Sequence, residues 1–185
     1  MDDVQMREMT LDPKHRRVLV TDGRTPLGQA VAKALSDAGA AIVFVGLSED
    51  WKPFAGQEAL KSIPRVELMP LDLSDHDSVF DLANEIGSRV DIVVNTAQHI
   101  RPGGLLERKG VTVAREEMDA GYMGFLRLVQ AFAPVMKFRG ADGANSACAW
   151  VNILSIYAHM PWPAYAAYSA AQAALYNASL SLRSD

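Results

Sequence analysis

Short apolar runs of strand length alternate along this chain with stretches whose apolar residues recur at helical spacing, and this alternation limits the available folds more than any other feature. Val18-Leu19-Val20, Ala41 to Val45, Val66 to Leu71, Asp91 to Asn95 and Trp150 to Ser155 read as strands. Between them, Leu27, Ala30, Val31, Ala34 and Leu35 mark a helix stopped by Gly39; Trp51 to Ile63 holds a short helix and Asp77 to Ile86 another. Met118 to Met136 is the longest helix, and a fifth starts near Tyr168. Strands that are apolar along their whole length, each followed by a helix, imply a parallel sheet covered on both faces. Ligands of such open sheets lie at the carboxyl ends of the strands, which here carry Thr21, Gly46, Asp72, Asn95 and Ser155.

At 185 residues, 49% of them hydrophobic, the chain suits one domain, expected over residues 16–185 behind a flexible polar arm at 1–15. Its net charge of −4 gives no electrostatic reason to bind nucleic acid, and Lys14-His15-Arg16-Arg17 reads as a solvated flank. The single cysteine, Cys148, excludes an internal disulfide framework and a cysteine-rich metal site; it reads as a small buried hydrophobe in a reducing compartment. No apolar run is long enough to span a bilayer and Met1 to Arg17 lacks the apolar core of a secretion signal, so no membrane association and a cytoplasmic location are expected.

Five fragments in order resemble the short-chain dehydrogenases/reductases: Val20-Thr21-Asp22-Gly23-Arg24-Thr25-Pro26-Leu27-Gly28, Leu71-Asp72-Leu73-Ser74-Asp75, Asn95-Thr96-Ala97-Gln98, Asp119 to Phe125, and Asn152-Ile153-Leu154-Ser155 with Tyr168-Ser169-Ala170-Ala171-Gln172. The resemblance implies a three-layer, doubly wound Rossmann-type sheet in strand order 3-2-1-4-5 and an oxidoreductase that uses NAD(P)(H) on a small carbonyl or alcohol. It places Thr21, Gly23, Arg24, Thr25, Leu27, Gly28, Asp72, Leu73, Asn95 and Tyr168 at the cofactor and Ser155, Tyr168 and Gln172 at the catalytic site. Asp72 and Leu73 would meet the adenine, and Asn95 would prop the central strand.

Several positions depart from the family's pattern. Asp22 and Pro26 replace glycines of the phosphate turn, putting an anion and a residue without an N–H where the cofactor's phosphates belong; equally, Thr25 can cap a helix whose first residue is Pro26. Gly46-Leu47-Ser48 offers the ribose no charge, so Arg24, which is either a 2′-phosphate ligand or a solvated loop cation, gives a slight preference for NADP. Gln98 replaces a glycine. Gly121 replaces the asparagine that holds the water of the family's proton relay, and with Gly124 it suggests a thin helix surface for close packing.

Ser155 and Tyr168, thirteen positions apart, carry over as the carbonyl-polarising serine and the proton-exchanging tyrosine, but Gln172 stands where the family has lysine. An ammonium about 4 Å from a phenolate contributes on the order of 4 kcal/mol at an effective dielectric near 20. Without it, a phenol near its reference pKa of about 10 is ionised in roughly one molecule per thousand at neutral pH, which favours carbonyl reduction over alcohol oxidation. The alternative for the Ala166 to Ala178 segment is simple packing. His159, Trp162 and Tyr165 either line a substrate pocket or cover apolar surface.

The sequence ends at Asp185, where the fifth helix should finish, so the domain is expected to be truncated there relative to the family. The open edge of the fifth strand then needs cover from a longer chain or a partner, and assembly into a homo-oligomer through the fourth and fifth helices is expected. Two functions remain: a reductase with a degenerate site, and a non-catalytic relative that assembles with a partner or senses a nucleotide.

Overall fold

The computed structural model describes residues 11–107, 109–141 and 149–183. Five parallel strands, β1 (Arg17–Val20), β2 (Ile42–Leu47), β3 (Val66–Pro70), β4 (Ile92–Asn95) and β5 (Ala149–Asn152), form one sheet in the order β3-β2-β1-β4-β5. Helices α1 (Pro26–Asp37), α2 (Gln57–Ser62), α3 (His76–Ile86), α4 (Gly110–Met118), α5 (Gly124–Ala141) and α6 (Ala166–Leu182) connect and cover the strands. This is the expected Rossmann-type architecture.

The strand register divides the core. Leu19 lies opposite Phe44 and Val93, and these side chains pack on Leu82 and Ile86 of α3 and Leu128 and Phe132 of α5. Their neighbours Val18, Val20, Val43, Val45, Ile92 and Val94 face the other way, onto Ala32 of α1 and Leu60 of α2. Both faces of the central strands β1, β2 and β4 are therefore sealed, with each buried aliphatic side chain contributing about 1.5–3 kcal/mol, and this explains why they lack polar alternation, whereas Val151 of the edge strand β5 is 41% exposed.

Apart from Glu67 on the edge strand β3, the polar groups of the sheet gather at its two ends. At the amino end, Asp91 is 5% exposed and accepts from Arg17 N, Nε and Nη2 at 2.9, 3.0 and 2.9 Å, with Arg139 Nη1 at 3.3 Å. Burial pushes its carboxyl up, but the bonds and charges of Arg17 and the charge of Arg139 outweigh this and hold it below the usual carboxylate range. At the carboxyl end, Thr21 Oγ1 donates to Asn95 Oδ1 (2.9 Å), Asn95 Nδ2 to Asn152 Oδ1 (3.2 Å), and Asn152 Nδ2 to Ser179 Oγ (2.8 Å). One chain of bonds thus ties β1, β4, β5 and α6 beneath the site.

The helix expected from Met118 to Met136 is broken at Asp119–Met123, a π-helical turn between α4 and α5. The helix expected in Trp51 to Ile63 covers only Gln57–Ser62, because Pro53 precedes it and Gly56 enters it left-handed at φ 85°. β5 stops at Asn152, where Ile153 N makes one last bond to Asn95 O, at 3.0 Å. Cys148, Asp185 and residues 1–10 of the expected arm lie outside the described residues; His15, within it, donates its N–H to Gly39 O at 2.9 Å.

Candidate functional site

The turn after β1 builds one wall of a cleft. Thr25 caps α1 by accepting from Gly28 N (3.1 Å), and Pro26 occupies the first helical position, the arrangement its sequence allows. Gly28 is irreplaceable by geometry, since a Cβ there would lie 1.6 Å from Asp22 O. Gly23 has no more room: a Cβ would meet Val45 Cγ1 at 2.3 Å. Asp22 Oδ1 accepts from Arg24 N at 2.8 Å. Leu27 is then the first-turn amide left without a partner among the described residues, since Pro26 has none and Gly28 is capped.

Asp22, Thr21, Ser48, Glu49, Asp72, Leu73, Ala97, Gln98 and Ala120 are among the residues lining this cleft, whose volume is about 340 Å³. Burial pushes the Asp22 carboxyl up, partly offset by the bond from Arg24 N and the Arg24 charge. Arg24 Nη1 donates to Ser48 O (3.1 Å), Glu49 O (2.9 Å) and Lys52 O (2.9 Å), and its guanidinium lies over the Phe54 ring at 5.1 Å. It is neither free nor merely solvated: it clamps the loop after β2.

On the far wall, Asp72 Oδ1 accepts from Ser74 N (2.9 Å) and Ser74 Oγ (2.6 Å), while its other oxygen takes no bond among the described residues. The helix cap here is Asp75, whose side chain accepts from Asp77 N, so Asp72 is not held in place by capping. The Leu73 carbonyl accepts from Arg127 Nη1 at 2.8 Å and its N–H has no partner among the described residues. An acceptor and a donor are thereby presented side by side.

The hydroxyl pair lies beyond Gln98. Tyr168 is 3% exposed, and its Oη donates to Gln98 Oε1 at 3.2 Å. Burial pushes the phenol above its ordinary pKa; a bond from Ser155 lowers it, and the charges of Glu117 and Tyr157 raise it further. Ser155 and Tyr168 are therefore brought together, thirteen residues apart in sequence. Ser155 Oγ also accepts from Tyr157 N at 3.2 Å. Gln172, 2% exposed, accepts from Ser155 N through Oε1 at 2.8 Å. A lysine could not make that bond, having no acceptor.

The long-helix glycines do different jobs. A Cβ on Gly124 would lie 2.8 Å from Leu73 Cβ, so close packing is needed there; on Gly121 it would meet only Ala171 Cβ, at an ordinary 3.7 Å. Close packing therefore requires glycine at 124 but not at 121, where a β-carbon would meet α6 at ordinary contact distance. The loop aromatics also divide. Trp162 lines a separate apolar groove with Leu105, Leu106 and Pro163, Tyr165 stacks on Tyr157 (5.8 Å), and His159 packs edge-on against Tyr176 (4.4 Å).

Sequence reasoning missed three participants. Asn152 carries the strand-end ladder, and its signal was a second asparagine closing an apolar strand. Thr96, named above only within the Asn95 fragment, donates its Oγ1 to Asp22 O at 3.2 Å and accepts from Asp22 N at 3.1 Å, locking the first turn. Glu117 is buried at 1% exposure on α4, a position that helical periodicity alone would assign to solvent because of its charge. Among the described residues no helix is long and apolar enough to cross a membrane, and no cluster of His, Cys, Asp and Glu could hold a metal ion.

A family model described as short chain dehydrogenase matches residues 16–185. An uncharacterized oxidoreductase of Mycobacterium tuberculosis is 28% identical over 187 residues, covering 95% of this chain and 52% of that protein. A 3-dehydrosphinganine reductase of Arabidopsis thaliana is 25% identical over 185 residues, covering 98% of this chain and 54% of that one. The chain thus spans about half the length of these curated relatives. Among solved structures, a short chain dehydrogenase from Burkholderia cenocepacia in complex with NADP superposes with a TM-score of 0.80 at 27% identity, over 94% of this chain and 68% of that one.

Proposed function

Because this chain belongs to the short-chain dehydrogenase family, we propose that it binds a nicotinamide dinucleotide in the cleft beside Asp22 and reduces the carbonyl of a small molecule, with Tyr168 as proton donor. The observation that carries the reading is the environment of Tyr168, a buried phenol beside Ser155 whose pKa is raised, so that it holds its proton at neutral pH. A phenol in that state is an acid and a poor base.

The residues fit the adenosine half of the cofactor. The uncommitted oxygen of Asp72 can accept from an exocyclic amine and the Leu73 N–H can donate to a ring nitrogen. They fit the phosphates less well, with Leu27 N–H as donor and Asp22 as an opposing charge. When bound, the dinucleotide supplies a hydride to the carbonyl carbon. The chain's own part is to polarise the carbonyl oxygen with Ser155 and to pass it the Tyr168 proton. Gln172 stands in the lysine's place and fixes the Ser155 backbone. Gln98, which lines the cleft and accepts the Tyr168 proton donor's bond, must release it before a substrate oxygen can take its place.

NADP(H) is slightly preferred in this reading, because the Arg24 guanidinium, held at the loop after β2, offers a 2′-phosphate a cation. The domain falls within residues 16–185, works in the cytoplasm, and pairs with a second copy through α5 and α6. A second reading, a non-catalytic relative that senses a nucleotide or assembles with a partner, is favoured by one observation: both key groups are tied to glutamines, Tyr168 to Gln98 and Ser155 N to Gln172. A steady-state assay with NADPH and NADH against a panel of aldehydes and ketones separates the two. Turnover abolished by Tyr168→Phe supports reduction; dinucleotide binding with no turnover on any carbonyl supports the second reading.

A further inference from the structure

Helix α4 carries one carboxylate that folding has removed from solvent. Glu117 is 1% exposed, its Oε1 accepts from Arg101 N at 2.8 Å, and its Oε2 is buried with no hydrogen-bond partner among the described residues. The nearest candidate counter-charge is already used, because the Arg101 guanidinium pairs with Glu116 at 2.7 Å. A carboxylate buried without a full set of partners is expensive, so its retention calls for a role. Its position supplies one. Val113 of α4 and Ala167 of α6 line one small cavity and Gly121 faces Ala171, so Glu117, between Val113 and Gly121, lies along the turn of α6 that carries Tyr168, whose phenol feels its charge.

We infer that Glu117 is a positioning residue of the Tyr168 site: Oε1 fixes the loop after β4 through Arg101 N, and Oε2, left without a partner among the described residues, sets the carboxyl group against the turn of α6 that carries the phenol. This rests on Tyr168 being the acid of the proposed reaction. The groups that bear on the phenol are Ser155 and Tyr157 from the connection after β5, the neutral Gln98 after β4, and Glu117. Of the other charged groups on the elements packed against α6, Asp119 is paired with Arg127 (2.7 Å) and Glu116 with Arg101, and Arg115 lies on α4. Glu117 thus does electrostatically the opposite of what a lysine at position 172 would do, and the two departures from a lysine-assisted tyrosine act in one direction.

The test is a pH titration of the full chain carrying ¹³Cζ-tyrosine, followed by NMR, with the Tyr168 resonance assigned by its loss in Tyr168→Phe. Glu117→Gln keeps the volume and the acceptor for Arg101 N while removing the charge. Tyr168 is expected to ionise at lower pH in this variant while the other tyrosines stay as they were. Glu117→Asp, which keeps a charge, is expected to shift Tyr168 less, and it serves if the glutamine variant does not fold. An unchanged or raised ionisation of Tyr168 in Glu117→Gln, or equal shifts in both variants, overturns the inference. No turnover is needed, so a chain that reduces nothing still tests Glu117, whereas failure of the reductase reading shows only in the carbonyl assay.

Discussion

The Tyr168 hydroxyl donates to Gln98 Oε1 across 3.2 Å, and Gln98 also lines the cleft in which a dinucleotide would lie. The residue expected to meet the substrate is therefore held by a side chain in a position where the family has glycine. A neutral hydrogen bond of this kind contributes about 1 kcal/mol. Gln98→Ala should release the phenol and raise the rate of carbonyl reduction about five-fold, measured as initial rates of NADPH oxidation. A rate that stays level or falls shows that Gln98 does not restrain Tyr168.

Gln172 predicts a split between stability and chemistry. Gln172→Met keeps the bulk but removes the acceptor for the buried Ser155 N–H, at a cost of about 1–3 kcal/mol in urea unfolding. Gln172→Lys loses the same bond, yet its ammonium favours the ionised phenol, so alcohol oxidation should gain on carbonyl reduction. Equal stability of wild type and Gln172→Met contradicts the structural role.

Asp22 should make cofactor binding pH-dependent. Its carboxyl is pushed up by burial, and an anionic ligand opposes its ionised form. Protonation therefore relieves the repulsion, so affinity should rise as pH falls from neutral toward the upper end of the carboxylate range. The sign follows from the raised pKa: the neutral acid is the form that both burial and the ligand favour. Asp22→Asn should bind about ten-fold tighter at pH 7 and lose the pH dependence, read by calorimetry with NADH and NADPH; a pH dependence that survives the substitution contradicts this.

Two glycines in the family fragments should respond oppositely to alanine. Gly28→Ala drives a methyl onto the Asp22 carbonyl and should destabilise the fold by about 3 kcal/mol or more, measured by thermal unfolding. Gly121→Ala meets Ala171 at ordinary contact distance and should be neutral or stabilising by up to about 1 kcal/mol. Equal effects would mean that the first turn is looser than its geometry.

The fold was legible because its signals are local and repeated: the central strands are apolar on both faces, and the main helices have a period and a stop. Thr25 and Pro26 announced the start of α1 for the same reason. The site was only half legible. Ser155 and Tyr168 are placed by short connections, so their meeting followed from spacing, but the partners that decide their chemistry are non-local. Gln98 is 70 residues from Tyr168, and Arg24 meets carbonyls up to 28 residues away. A glutamine reads from sequence as a lost lysine; that it accepts from a backbone N–H requires coordinates. Glu117 stayed hidden because a charge on a helix is assigned to water until packing says otherwise.

The most direct measurement is a calorimetric titration of the purified chain with NADH and NADPH, repeated on Asp72→Ala. Saturable binding that Asp72→Ala weakens about ten-fold or more is the expected result, since the cleft offers Asp72 and Leu73 to the adenine. Absence of heat and saturation with both dinucleotides at millimolar concentration, or binding indifferent to Asp72, contradicts the assignment of this cleft to a nicotinamide cofactor.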